Sequence, residues 1–279
     1  MTQSPSLSTT APSTSDRLTL IAISALASVV GVGLHEHLGH ALTCVLLGGH
    51  PTELGAFYIT CDYTGLSELR IRLVALAGPM VSLAIGVVCF LVLRVRPPAK
   101  PNAYFFTWLL GTFGLMSATG YPLFSGVTGL GDFGTSPDGF IYQVSPEWLW
   151  RIILTLIGTA GYVLIIRLAV HEIDPHISGV GRPRIRYARL LVLTSYLTGV
   201  VVAIGIGLLN PHGPILVVIS SAAGTLGGSS GLLWMMQLLD RNRQVPAPGL
   251  VIQRSWGWIA LGAGVTIVYA LVFGPTLRF

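Results

Sequence analysis

Apolar residues dominate seven stretches of the chain, at about 18–48, 71–93, 103–125, 148–170, 188–209, 214–238 and 254–273, while polar and charged residues collect between them. Each stretch reaches the roughly 20 residues that a spanning helix needs. Backbone groups cannot stay unpaired in hydrocarbon, so the pattern predicts helices. The expected fold is an all-α polytopic membrane protein of about seven transmembrane helices. After the first helix, Gly48, Gly49 and Pro51 interrupt the pattern and "GAFYIT" has strand composition, which predicts a short extended or β-hairpin segment there. Residues 1–17 are rich in Ser and Thr without periodicity and read as a disordered tail. Residues 18–279 then form a single transmembrane domain, with neither an internal repeat nor a soluble second domain.

Composition sharpens this reading. Hydrophobic residues make up 52% of the chain and charged residues only 10%, against roughly 25% charged in soluble domains. The net charge of +5 does not signal nucleic acid, because the cations lie in short loops: Arg94, Arg96 and Lys100; Arg182, Arg184, Arg186 and Arg189; Arg241, Arg243 and Arg254. With seven crossings these groups share one side, which the positive-inside rule makes cytoplasmic. The N-terminus is expected inside and the C-terminus outside. The first stretch lacks a basic n-region, so it reads as a retained span, not a cleaved signal. Cys44, Cys61 and Cys89 show no C-x-x-C spacing; Cys44 and Cys61 can approach each other on the outer side, but unpaired small hydrophobes are the favoured reading. Trp148, Trp150, Trp256 and Trp258 read as interfacial anchors. Gly224, Gly227, Gly228 and Gly231 read as helix-packing positions, not as a phosphate loop.

The chemistry concentrates in "GLHEHLGHAL", residues 33 to 42, inside the first span. At about 100° per residue, Glu36 and His40 lie about 40° apart and His37 and His40 about 60° apart, whereas His35 and His40 are separated by about 140°. Two geometries follow. On a regular helix, His37 and His40 bind a metal, with Glu36 as third ligand or base; this is the favoured one, since it requires no distortion. With a π-bulge, His35 and His40 become the ligands and Glu36 the base. Zinc suits such donors, and a bound metal explains why ionisable groups are tolerated in a span.

A remote acidic ligand has to reach the same depth. Asp132, in "GLGDFG", follows the third span on the same side as residues 35–40. Asp138 reads as a turn residue. "HEIDPH" offers His171, Glu172, Asp174 and His176, but the topology places it across the membrane, where arginines favour a solvated interfacial loop. His212, in "NPHGP", and His50 read as turn residues near the site's side.

In order along the chain, "GHALTCVLLGG", "LGAFYIT" and "LAGPMVSLAIG" resemble pieces of the site-2-protease-like family of intramembrane metallopeptidases, in a divergent bacterial form, with His40, Gly48, Gly49, Gly78 and Pro79 at matching positions. The resemblance covers about residues 30–135, and the metallopeptidase-like core about 18–135. It implies Zn2+ held by His40, a second histidine (His35 or His37) and Asp132, with Glu36 activating water. It implies a transmembrane or juxtamembrane peptide as substrate, contact with membrane lipid and residence in a bacterial plasma membrane. Here the family's His-Glu-x-x-His is altered: either Glu36 and His37 stand reversed, or one residue too many separates His35 from His40. The loop at Asp132 also lacks the usual Asn-x-x-Pro-x-x-x-Leu-Asp-Gly form. Two other classes fit the same residues: a non-hydrolytic metal-binding transporter or sensor, and a degenerate structural homologue.

Overall fold

The computed structural model describes residues 15–212, 227–245 and 249–279. The tail expected at 1–17 therefore lies outside the described residues except for its end, as do the first half of the stretch at 214–238 and Gly224 within it. Ser15 and Asp16, placed in the tail by the sequence reading, are fixed. Ser15 hydrogen-bonds the Tyr187 hydroxyl at 2.6 Å, and Asp16 caps the first helix by accepting from the Thr19 amide at 2.8 Å.

Among the described residues the chain forms seven helices: α1 (Arg17–Leu46), α2 (Glu68–Val95), α3 (Pro101–Thr128), α4 (Glu147–Ile173, running into a 3-10 turn, Asp174–His176), α5 (Gly181–Gly207), α6 (Gly231–Leu238) and α7 (Trp256–Phe273). Five of them, α1, α2, α4, α5 and α7, are long and apolar enough to cross a membrane, which makes this an integral membrane protein. The expected count of seven spans is thus met in part. α3 has the length, but its Gly, Ser, Thr and Tyr content dilutes its apolar character. Its place in the molecule explains why that is tolerated: Phe105, Trp108, Leu109 and Met116 are fully buried, so the helix faces protein more than lipid. The outer helices instead expose large apolar side chains such as Leu156, Leu164, Val201 and Leu271, the belt that a bilayer covers.

The hairpin expected after α1 is present. β1 (His50–Leu54) pairs antiparallel with β2 (Ile59–Asp62), and residues 55–58 of "GAFYIT" form its turn. β3 (Leu277–Arg278) adds to the other edge of β1, giving the order β2-β1-β3. The sheet, the α3–α4 loop and the C-terminal strand thus lie at one end of the bundle. The opposite end gathers Asp16, whose amide donates to Ile252 O at 2.8 Å, and the segment around Leu250, whose amide donates to His176 O at 2.7 Å.

Contrary to the favoured reading of the cysteines, Cys44 and Cys61 form a disulfide; only Cys89 is free. The helix end and the second strand bring the two together around Gly49, where an added Cβ would lie 2.8 Å from Cys61 Sγ. Sequence separation alone does not show that juxtaposition.

Candidate metal centre

α1 is not regular through its polar segment. Residues Leu34–Ala41 are π-helical, so residues five apart share a face. That turns His35 and His40 to the same side, the second of the two geometries open from the sequence. The regular helix that favoured His37 is not what forms. The His37 ring points elsewhere, stacking on Phe273 with centroids 4.1 Å apart.

α2 crosses this segment closely. A Cβ on Gly39 would sit 2.6 Å from Gly78 Cα, and one on Gly78 would overlap the His40 ring and lie 2.7 Å from His35 Nε2. The two glycines therefore make the space that the imidazoles fill. Next to them, Pro79 has no N–H for the Ala75 carbonyl, which loosens α2 locally. One residue earlier, the Val74 carbonyl accepts from His40 Nδ1 at 2.7 Å. A carbonyl only accepts, so Nδ1 carries the proton and a neutral His40 presents its Nε2 lone pair inward. His35 Nδ1 is held by Ser82 Oγ at 2.9 Å, and its ring lies flat against Tyr121, with an interplanar angle of 13°.

Asp132 arrives from the α3–α4 loop, which is fixed by its own turns. Gly129 ends α3 in the left-handed region at φ 77, Phe140 N donates to Asp132 O at 2.9 Å, and Phe133 N donates to Ser125 Oγ at 3.3 Å. Phe133, Ile141 and Leu154 bury the loop's apolar side. Asp132 Oδ2 then lies 3.2 Å from His35 Nε2 and 3.4 Å from His40 Nε2, and the two nitrogens are 3.2 Å apart. Neither approach to the carboxylate is aligned as a hydrogen bond, and this buried oxygen has no other donor. Glu36 is 5% exposed, and His35, Glu36 and His40 offer ligand atoms within 4.8 Å of one another.

A divalent cation fits this group. Zinc bonds of about 2.0–2.1 Å in a tetrahedron place neighbouring ligand atoms about 3.3 Å apart, and the three separations here, 3.2, 3.2 and 3.4 Å, bracket that value. With the Ser82 hydroxyl accepting from His35 Nδ1, as the Val74 carbonyl does from His40 Nδ1, all three atoms are acceptors turned toward one point, which repel unless a cation lies between them. The site borders a cavity of about 580 Å³ that Glu36, His40 and Asp132 share with Ile59 and Thr60 of β2 and with Asp138. Its walls are negative: burial first, then the Asp138 and Asp132 carboxylates, push the Tyr63 phenol up to about 12.

The other candidate residues lie apart. His212 Nε2 is 2.8 Å from Glu53 Oε2 at the rim of the sheet, and His50 begins β1. "HEIDPH" is at the opposite end, but not as a solvated loop: Asp174 is buried and paired with Arg184 and Arg243, and Glu172 pairs with Arg94 at 3.7 Å. Sequence reasoning missed Ser82, Tyr121 and the Val74 carbonyl. No residue type flags a backbone carbonyl, and Ser82 becomes visible only once α2 is known to cross α1 at Gly78. Compared with family models, with curated proteins and with solved structures, the chain matches none.

Proposed function

We propose that this membrane-embedded metal-binding protein is a zinc-dependent intramembrane metallopeptidase, similar in kind to the site-2-protease-like family. The observation that carries the reading is the triangle of His35 Nε2, His40 Nε2 and Asp132 Oδ2 around a carboxylate oxygen with no donor of its own. These three residues would hold the ion. His37, which faces Phe273, has no part in it. When bound, zinc supplies a water of lowered pKa and polarises a peptide carbonyl.

The chain's own groups do the rest. Glu36, beside both imidazoles and facing the cavity, takes the water proton and delivers it to the leaving amide nitrogen. Val74 and Ser82 fix the orientation of the imidazoles. Among the described residues β2 is an edge strand whose outer side has no strand partner, and Ile59 and Thr60 line the cavity. An extended peptide can pair there, whereas a helical one hides its scissile carbonyl in internal hydrogen bonds. The substrate class is a transmembrane or juxtamembrane peptide that has locally unwound. The basic end faces the cytoplasm of a bacterial cell and the sheet faces outward.

Glu36→Gln tests the reading in the purified full-length chain. Metal analysis after chelator-free purification should find about one zinc in both proteins, while cleavage of membrane-peptide reporters falls by about 10²–10⁴-fold in the variant. Unchanged turnover would reject Glu36 as the base, and a metal-free wild type would reject the centre.

A further inference from the structure

The face of α5 turned away from the bundle carries an arrangement that the metal centre does not use. Arg182, Arg186 and Arg189 recur at helical spacing and are all exposed. At about 100° per residue they fall within about 60° of one another, and at 1.5 Å per residue they extend about 10 Å down the helix. Below them the stripe becomes apolar, with Leu197 and Ile204, 50% and 41% exposed, within about 80° of each arginine. Among the described residues none of the three arginines has an acidic partner. Asp174 is committed elsewhere, to Arg184 on the buried side of the same helix and to Arg243. Arg241 adds a fourth cation at the top of the stripe, since its carbonyl accepts from the Gly181 amide at 2.9 Å.

A water-facing loop has no need for cations to run on down a spanning helix. Arg189 stands eight residues beyond the start of α5, and a span of about 20 residues ending at Gly207 begins beside it, which puts it at headgroup level. A guanidinium there is best satisfied by a phosphate, which it meets with paired N–H donors. Below, the exposed Leu197 and Ile204 present the surface against which an acyl chain lies. Cationic head above apolar stripe is complementary to one amphiphile in particular, a phospholipid of net negative charge.

We propose that this face of α5 is a binding site for an anionic phospholipid, with Arg182, Arg186 and Arg189 on the headgroup phosphate and Leu197 and Ile204 against an acyl chain. The site stands independently of the peptidase reading.

The test is titration of the detergent-solubilised full chain with phosphatidylglycerol or phosphatidylcholine, with bound lipid counted by native mass spectrometry. Each cation near an anionic surface contributes about a five-fold gain in affinity, so the triple variant R182Q/R186Q/R189Q should lose on the order of 100-fold for phosphatidylglycerol. A control triple at the same end of the bundle, R17Q/R96Q/K100Q, should lose no more than about five-fold. Glycerol phosphate, which has the head without the chains, should compete poorly. The milder R189Q alone, expected to lose about five-fold, covers the case of a triple variant that does not fold. Equal losses in the two triples would reduce the site to unspecific surface charge, and unchanged binding in R189Q, or equal binding of the zwitterionic lipid, would overturn it. Full competition by glycerol phosphate would reassign the arginines to a soluble phosphate.

Discussion

The two ends of the bundle both bury charge, and they treat it in opposite ways. At the Asp174 end, the fully buried Arg184 donates to the carbonyls of Asp174, Ile177 and Asp240 and to the Asp174 carboxylate, and Arg243 takes the second carboxylate oxygen at 2.6 Å. The buried carboxylate and the buried guanidinium there each meet a charge of opposite sign within the chain. At the Asp132 end, two imidazoles and two carboxylates converge with no arginine or lysine among them, and one carboxylate oxygen is left without a donor. The first arrangement is complete and holds helices together; the second leaves its acceptors unmatched, as the proposed cation site requires. Buried polar residues alone therefore do not mark function. Unmatched sign does.

Removing a carboxylate charge from each end should break the symmetry most. Asp174→Asn leaves Arg184 buried without its counter-ion and is expected to cost about 3–5 kcal/mol, read as a lower unfolding temperature in detergent. Asp132→Asn removes one of several clustered acceptors, so the metal-free protein should be no less stable, while zinc retention is lost. If both variants unfold alike, the two ends do not differ in kind.

A smaller effect sharpens the centre itself. Ser82→Ala frees the His35 ring without touching a proposed ligand and should weaken zinc affinity by about 10–100-fold, measured by competition with a chromophoric chelator. Unaltered affinity would mean that the stack on Tyr121 alone orients His35.

The smallest concerns Glu53, between the two extremes at the rim of the sheet. Burial opposes its ionisation, but the hydrogen bonds from His212 and Tyr58 and the Arg278 charge outweigh it and hold the carboxyl below its ordinary 4.5. A carboxylate with a depressed pKa stabilises the fold above its unfolded value and loses that contribution as pH falls through the folded one. The protection of the Leu277–Phe279 amides against exchange should therefore fall as the pH drops below 4.5, and Glu53→Gln should flatten the dependence. Constant protection down to about pH 3 would show that the backbone pairs alone hold β3.

The sequence made some of this legible and concealed the rest for physical reasons. Runs of apolar residues announced the helices α1, α2, α4, α5 and α7, because the bilayer demands them wherever they occur. The same test overstated α3, whose buried position relaxes that demand. The cluster at residues 35–40 was visible as composition, yet its working face was not. A rotation of about 100° per residue favours His37, and the π segment that selects His35 goes with the close crossing at Gly39 and Gly78, a contact between residues 39 apart in the chain. Asp132 was suggested by topology, but its distance from the imidazoles depends on a loop folded by glycine turns. The Cys44–Cys61 bond and the Asp174 pairs escaped because the first depends on how the hairpin folds back on the end of α1 and the second on how helix ends and loops meet.

The tie between Cys44 and Cys61 has a practical side. It fastens the wall of the cavity to the rod that carries His40, so the hairpin cannot swing aside to admit a bulky guest while that tie is intact. A sample handled in dithiothreitol would be a mechanically looser molecule than one kept under air, and its selectivity among guests should be compared only with others prepared the same way.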